Sequence, residues 1–211
     1  MSFQDRFSAA KELSKKMKEY KNSNDTIILA IPRGGIATGY ILAKELNVPM
    51  DIILTKKIGL QGNKEYAVGA VSLKSYIVDD VLMKSGMISK EYIEDEVNKI
   101  RELLKKRYKD YKGDKKPYDI KGKIVILTDD GIATGRTILA AIDLLKGEGA
   151  KKIVIAVPVG PPDTIKKLEK EVDQVVCILM PEQFLSIGRF YNDFKQVEDE
   201  EAIKMLQEVN R

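Results

Sequence analysis

Two adjacent carboxylates, Asp129 and Asp130, are the side chains of this sequence whose spacing is most suited to chemistry. They directly follow the apolar run at 124–128 and precede a loop of small residues at 131–135. Carboxylates accept hydrogen bonds from hydroxyls or bind a hydrated Mg²⁺, whereas the free N–H groups at the start of a helix favour an anion. This order of residues predicts a site for a ligand that carries both hydroxyls and a phosphate.

The loop and the first turn of the next helix form the predicted phosphate side of the site. Gly131 and Gly135 allow the backbone to approach a ligand closely, and Thr134 and Thr137 add hydroxyl donors. Because the acids would repel a phosphate, we expect them to face sugar hydroxyls or a metal. The plainer alternative is a helix cap in which Asp130 only satisfies backbone donors.

The pentapeptide Gly-Ile-Ala-Thr-Gly occurs twice, at 35–39 and at 131–135, each time between an apolar run and a helical pattern. Neither copy is a common nucleotide motif. A P-loop needs four residues between its glycines and then Lys-Ser/Thr, which the second copy lacks. Gly34-Gly35-x-x-x-Gly39 does not have the spacing of the dinucleotide fingerprint.

The composition excludes several kinds of catalytic site. The chain has no histidine, so a Ser-His-Asp site, a histidine base and histidine metal ligands are excluded. Cys177 is the only cysteine, and its apolar neighbours favour a buried small hydrophobe over a nucleophile. With 36 basic and 32 acidic residues the surface is mixed, which suits a small anion and does not indicate nucleic acid. The absence of a signal peptide or bilayer-spanning run predicts a soluble cytoplasmic protein.

The elements that must position these residues alternate between strands and helices. We expect a single domain over residues 1–211 in the α/β class, with a doubly wound, mostly parallel sheet whose ligands bind at the carboxyl ends of its strands. The strands are expected at 26–31, 51–55, 124–128, 152–157 and 175–179. The helices are expected at about 3–20, 36–46, 89–110, 135–147, 162–170 and 198–208.

Two segments lie outside this alternation. The polar, glycine-punctuated stretch at about 57–68 is predicted to be a mobile loop, with short strands at 66–72 and 75–79. The tail or small hood at 180–211 contains the aromatic residues of 184–194. These rings could pack in the core or stack on a ligand, and both interpretations stay open.

Residues 124–137 resemble the phosphoribosyl pyrophosphate (PRPP) signature of type I phosphoribosyltransferases: an apolar strand, two acids, a small-residue loop with Thr-Gly, and a Thr. Pro32-Arg33-Gly34-Gly35 is similar to the family's pyrophosphate loop. Lys56-Lys57 lies where the family carries basic residues at the start of a flexible loop. Further similarities at 61–67 and 181–194 extend the resemblance over nearly the whole chain, to a subgroup whose acceptors are unassigned.

The resemblance implies a function and a set of site residues. Asp129 and Asp130 would bind the ribose 2′- and 3′-hydroxyls and Mg²⁺, directly or through water. The pyrophosphate would contact Arg33, the Gly34-Gly35 backbone and Lys56 or Lys57. The 5′-phosphate would be held by the loop and helix start, namely Gly131, Ile132, Ala133, Thr134, Gly135 and Thr137. The reaction would transfer the phosphoribosyl group to a nitrogenous acceptor, and homodimers are usual in families of this kind.

Ala133 is a departure that bears on the acceptor. The 6-oxopurine enzymes of the family carry an aspartate there, so hypoxanthine or guanine is disfavoured. Two other functions stay open. One is a non-catalytic PRPP or nucleotide sensor on the same fold, and the other is an RNA-binding regulator that uses the basic stretch at 99–116.

Overall fold

The computed structural model describes residues 2–209, and these residues form two separate β-sheets. The larger sheet has five parallel strands in the order β2-β1-β6-β7-β8, and the smaller has three antiparallel strands in the order β3-β4-β5. The strands are β1 (Thr26–Ala30), β2 (Met50–Ile52), β3 (Lys56–Leu60), β4 (Asn63–Val71), β5 (Tyr76–Val78), β6 (Ile124–Thr128), β7 (Lys152–Val159) and β8 (Gln174–Leu179).

Residues 2–209 also contain seven α-helices and two short 3-10 turns. The helices are α1 (Arg6–Lys15), α2 (Gly34–Leu46), α3 (Asp80–Lys84), α4 (Lys90–Lys112), α5 (Arg136–Gly147), α6 (Pro162–Leu168) and α7 (Asp199–Val209). The 3-10 turns are Lys18–Tyr20 and Ile187–Phe190. The parallel sheet with helices on both faces confirms the predicted fold class. No helix of this part of the chain has the length and low charge needed to cross a bilayer.

The two faces of the parallel sheet bury separate apolar clusters. Ile28 and Ile126 lie in one cluster with residues of α1, α2 and α4, whereas Ile27 and Val125 lie in the other with residues of α5 and α6. Successive side chains of a strand point to opposite faces, so a strand buried on both sides must be apolar throughout. This explains the uninterrupted apolar runs at 27–31 and 124–127.

The first helix is shorter than its period predicts. Asp5 caps it, since its Oδ1 accepts from the amide of Ser8 at 2.7 Å while the hydroxyl of Ser8 accepts from the amide of Asp5 at 3.0 Å. Phe3 therefore lies before the helix, where it pairs in a β-bridge with Tyr191. This bridge places the N-terminal residues against the C-terminal hood.

The predicted loop at 57–68 is instead a β-hairpin, formed by β3 and β4. Gly62 supplies a positive φ of 83° at the turn. Lys64 ties the hairpin to α4, with its Nζ 2.8 Å from Glu96 Oε2 and 2.7 Å from the hydroxyl of Tyr92. The prediction of an irregular loop was wrong because a polar, glycine-rich composition is typical of loops, whereas here it belongs to an exposed antiparallel hairpin. Whether the hairpin moves stays a prediction.

A buried ion pair fastens the end of α4 to β2. Lys112 Nζ lies 3.3 Å from Asp51 Oδ1, and the two side chains are only 4% and 2% exposed. Asp51 also accepts from the hydroxyl of Tyr108 at 2.8 Å and from the amide of Tyr118 at 3.1 Å. These additional donors satisfy a carboxylate that burial would otherwise make costly.

Candidate ribose-phosphate site

The two acids lie where the parallel sheet was expected to place them. Asp129 and Asp130 directly follow β6, a central strand that pairs with β1 on one side and β7 on the other. The segment that follows β1 ends at Arg33 and leads directly into Gly34 and Gly35, at the same edge of the sheet. Because β1 and β6 are neighbours, both predicted ligand-binding segments meet at one place.

The glycines of the first segment touch the acids of the second. A Cβ built on Gly34 would lie 1.9 Å from Asp130 Oδ2, and one built on Gly35 would lie 2.9 Å from the Cα of Asp129. Any side chain at Gly34 would therefore displace the carboxylate. Both glycines belong to the first turn of α2, so the predicted loop ends one residue before them, at Arg33. The peptide bond between Pro32 and Arg33 is cis.

Burial makes ionisation of the acid pair costly. It raises the pKa of Asp129 well above the ordinary value, and the neighbouring charge of Asp130 raises that pKa further. Burial also raises the pKa of Asp130, although the guanidinium of Arg6 opposes this shift. The pair shares one buried space, so its two protons are lost in coupled steps. A cation or hydroxyl donor in the site would favour the ionised pair.

Arg6 is the cation that the structure places on this pair. Its Nε lies 2.7 Å from Asp130 Oδ2, and its Nη1 donates to the carbonyl of Lys195 at 2.7 Å. Its guanidinium lies 3.8 Å from the ring centre of Phe194. That ring stacks on Tyr191, whose hydroxyl donates to the carbonyl of Asp130 at 2.6 Å. Residues from both ends of the chain thus enclose Asp130.

The loop after the acids offers fewer free donors than its sequence predicts. The amide of Ile132 donates to the carbonyl of Val159 at 2.8 Å, and its side chain is buried. Gly131 approaches the hood, since a Cβ there would lie 2.7 Å from Ile187. The amides of residues 133–135 donate to no backbone carbonyl within the described chain. Of the amides of residues 131–135, only that of Ile132 is thus engaged by a backbone carbonyl.

The end of the loop has the geometry of an anion site. Gly135 adopts the left-handed conformation, with φ 73°, as the residue before α5. The N–H groups of the first helical turn have no partners within the helix. Thr134 and Thr137 are exposed beside them, as is Arg136. The first turn of α5 is thus available to a phosphate from solvent.

A cavity of about 770 Å³ separates the hairpin from α5. It brings together the predicted residues Lys56, Lys57 and Thr137, and it also contains Arg136 and Tyr66. Lys57 is paired with Glu65 at 3.0 Å. The cavity is large enough for a phosphorylated sugar and has cationic groups on both walls.

Arg33 is placed differently from the other predicted residues. Its Nη1 lies 3.9 Å from Glu198 and 3.8 Å from Asp199, at the start of α7. The side chain therefore points toward the C-terminal helix, and these acids hold it by contacts near the limit for an ion pair.

Three residues of the site were absent from the sequence prediction: Arg6, Tyr191 and Phe194. Arg6 is the first residue of an amphipathic helix, and nothing in its spacing connects it with an acid 124 positions away. Tyr191 and Phe194 were recognised only as members of an aromatic cluster. Most of that cluster packs internally, as in the stack of Phe184 on Phe190 at 5.3 Å.

Comparisons with known proteins give a consistent result. The family model described as "Phosphoribosyl transferase domain" matches residues 3–195. A protein of Mycobacterium tuberculosis (strain H37Rv), named "Putative phosphoribosyl transferase Rv0571c", is 32% identical over 212 aligned residues, which cover 99% of this chain and 47% of that protein. The chain thus spans about half the length of the curated relatives it matches first.

Two further similarities differ in extent. The crystal structure of TT1426 from Thermus thermophilus superposes with a TM-score of 0.87 at 31% identity and covers all of both chains. A uracil phosphoribosyltransferase from Clostridioides difficile is 44% identical over 61 residues, which are 29% of each chain. The first similarity extends over the whole fold, whereas the second is limited to one segment.

Proposed function

The chain belongs to the phosphoribosyl transferase family, and on this premise we propose that it transfers the 5-phosphoribosyl group of PRPP to a nitrogenous acceptor and releases pyrophosphate. The observation that carries the proposal is the contact of Gly34 and Gly35 with Asp129 and Asp130. A Cβ at Gly34 would lie 1.9 Å from a carboxylate oxygen, so the two predicted ligand-binding segments are in contact, which supports a single site.

Each part of PRPP has a complementary surface at this site. Asp129 and Asp130 would accept hydrogen bonds from the 2′- and 3′-hydroxyls. The amides that follow Ile132, with Thr134 and Thr137, would bind the 5′-phosphate at the start of α5. The pyrophosphate would meet the Gly34-Gly35 turn.

Two further contacts to the pyrophosphate require rearrangement. Lys56 and Lys57 face the large cavity from the hairpin and would approach a ligand if the hairpin closed. Such closure would exclude water, which otherwise hydrolyses PRPP. Arg33 would have to leave Glu198 and Asp199, which hold it at 3.8–3.9 Å, in order to reach the pyrophosphate.

The donor set fits Mg²⁺. The described residues contain no group of three or more acidic, histidine or cysteine side chains that could hold a metal alone. Two adjacent carboxylates match the usual Mg²⁺ arrangement, in which one or two protein carboxylates are joined by substrate phosphates and water. Bound Mg²⁺ would neutralise charge on the leaving pyrophosphate.

The proposed reaction breaks the bond between C1 of the ribose and the pyrophosphate oxygen, and forms a bond from C1 to a nitrogen of the acceptor. The electron pair of the broken bond leaves with pyrophosphate, and the acceptor nitrogen supplies the new pair and loses a proton. The acids would lie beside a ribose that gains positive charge, so their ionised form would favour the transition state. No covalent nucleophile is needed, in agreement with a chain that contains no histidine.

Calorimetric titration of PRPP with and without Mg²⁺ tests the binding site. We expect Mg²⁺-dependent binding that falls by roughly a hundredfold in the Asp129→Asn/Asp130→Asn variant, because two charge-assisted interactions of about 1.5–3 kcal/mol each are weakened. Asp143→Asn is the matched control, since Asp143 is exposed on α5. Unchanged PRPP binding in the double variant would contradict the site assignment.

The acceptor is tested by pyrophosphate release from PRPP with a panel of purines, pyrimidines and related bases. Ala133 disfavours 6-oxopurines, so we expect hypoxanthine and guanine to be poor acceptors. PRPP binding without pyrophosphate release from any base would instead favour a PRPP sensor. The position of Arg33 gives the sensor a structural basis. Arg33 is predicted to bind pyrophosphate, but its side chain is paired with Glu198 and Asp199 at the start of α7.

A further inference from the structure

Arg6 makes contacts that a surface arginine would not make. Its side chain is 11% exposed and that of Asp130 is 12% exposed, and their Nε–Oδ2 distance is 2.7 Å. Arg6 begins α1, and the Asp5 cap fixes the start of this helix. Among residues 2–209, Arg6 is the only cation within ion-pair distance of either acid of the pair.

The contact divides the two oxygens of Asp130 between two environments. A Cβ on Gly34 would lie 1.9 Å from Oδ2 and 3.2 Å from Oδ1, so both oxygens are near this glycine, but only Oδ2 contacts Arg6. No other side chain of the described residues donates a hydrogen bond to the carboxylate of Asp130. Arg6 is thus the one side chain that holds the carboxylate, and it does so at Oδ2.

The guanidinium is itself held in place by the hood. Its Nη1 donates to the carbonyl of Lys195 at 2.7 Å, and its Cζ lies over the ring of Phe194, 3.8 Å from the ring centre. Fixing both the cation and the carboxylate lowers the entropic cost of ordering Asp130 when a ligand binds. A side chain used only to tie α1 to the hood would not need a carboxylate of the candidate site as its partner.

We propose that Arg6 is a positioning residue of the ribose site, which holds Oδ2 of Asp130 so that Oδ1 is presented to a hydroxyl of the ribose diol. The inference rests on the proposed function and extends the site to the first turn of α1. Arg6 acts through Asp130 and does not need to touch the substrate.

A double-mutant cycle on PRPP affinity, measured by calorimetry with Mg²⁺, tests this role. We expect Arg6→Met to weaken PRPP binding roughly tenfold or more, since a charge-assisted hydrogen bond is removed from the binding carboxylate. In an Asp130→Asn background the same substitution should cost less than about threefold, because the group through which Arg6 acts has already been altered. Arg6→Lys should recover most of the lost affinity.

Lys11→Met is the matched control, because it removes one positive charge from an exposed position of the same helix. Should Arg6→Met not fold, Arg6→Gln completes the cycle, since its amide can still tie α1 to the hood but supplies no charged donor. The melting temperature of each variant separates loss of the fold from loss of the site.

Three results would overturn the inference. In the first, Arg6→Met or Arg6→Gln binds PRPP as tightly as the wild type or more tightly. In the second, the substitution costs the same affinity with and without Asp130→Asn, which indicates a role independent of that carboxylate. In the third, the wild type shows no Mg²⁺-dependent PRPP binding, and then the proposed function fails together with the inference. The first two results leave the proposed function intact.

Discussion

Replacing Gly34 by alanine should damage the candidate site through one collision. The added Cβ would lie 1.9 Å from Asp130 Oδ2, whereas real Cβ contacts essentially never fall below 3.0 Å. The carboxylate must therefore move by more than an ångström, which breaks its 2.7 Å contact with Arg6. Loss of a charge-assisted hydrogen bond costs about 1.5–3 kcal/mol.

The same substitution has an opposing effect on the helix. Gly34 is the first residue of α2, and alanine stabilises a helix relative to glycine by about 0.5–1 kcal/mol. The net expectation is a loss of about 1–2 kcal/mol in the free energy of unfolding, when the helix gain is set against the lost contact. PRPP affinity should fall by at least tenfold, because Asp130 no longer occupies its place.

Gly147→Ala is the matched control for this experiment. Gly147 is the last residue of α5, and a Cβ there would meet no atom within 4 Å. We expect this control to be as stable as the wild type or slightly more stable, and to bind PRPP normally. Urea denaturation gives the stabilities and calorimetry gives the affinities. If Gly34→Ala matched Gly147→Ala in both measurements, the assigned contact between α2 and Asp130 would be refuted.

Two other features give predictions of their own. Lys112→Met should lower the free energy of unfolding by about 3 kcal/mol, since it leaves the buried carboxylate of Asp51 with only its neutral donors; a loss below about 1 kcal/mol in urea denaturation would contradict the buried pair. Burial raises the pKa of the Cys177 thiol to about 11, so the thiolate present at pH 8 should be over a hundredfold scarcer than for a free thiol of pKa about 8.5. Labelling of native Cys177 by an aromatic disulfide at pH 8 should be correspondingly slower than labelling of the unfolded chain, and equal rates would show that the thiol is accessible.

The parallel sheet and the acid pair could be predicted from sequence because their signals are local. The apolar runs at 26–31 and 124–128 identify strands buried on both faces, and Asp129-Asp130 follows one of these runs without a gap. Neighbouring parallel strands then bring their carboxyl ends together. The meeting of the Gly34-Gly35 turn with the acids then depends on the pairing of β1 with β6, a strand order that the sequence did not predict.

The remaining part of the site depends on contacts that leave no local signal. The approach of Arg6 to Asp130 depends on how α1 packs and on where the hood returns, and neither has a characteristic spacing in the sequence. The strand predicted at 66–72 corresponds to the second half of β4, but β3 and the first half of β4 escaped prediction because they are largely exposed and polar, so the alternation of apolar residues that identifies a strand is weak there. The engaged amide of Ile132 also depends on a distant partner, the carbonyl of Val159.

The division of the strands between two sheets has a consequence for the way the molecule opens. Asp129 and Asp130 follow β6, the central strand of the five-stranded sheet, which is hydrogen-bonded along both edges. Lys56 and Lys57 lie on β3, an edge strand of the three-stranded sheet, which is hydrogen-bonded along one edge only. Local opening is easiest where few buried contacts hold the backbone. Amide hydrogens of β6 should therefore exchange with solvent only on global unfolding, whereas those of the hairpin can exchange through a smaller and more frequent opening. A ligand that bridged the two sheets would slow exchange in the hairpin most, so the stability of the small sheet would depend on ligand occupancy.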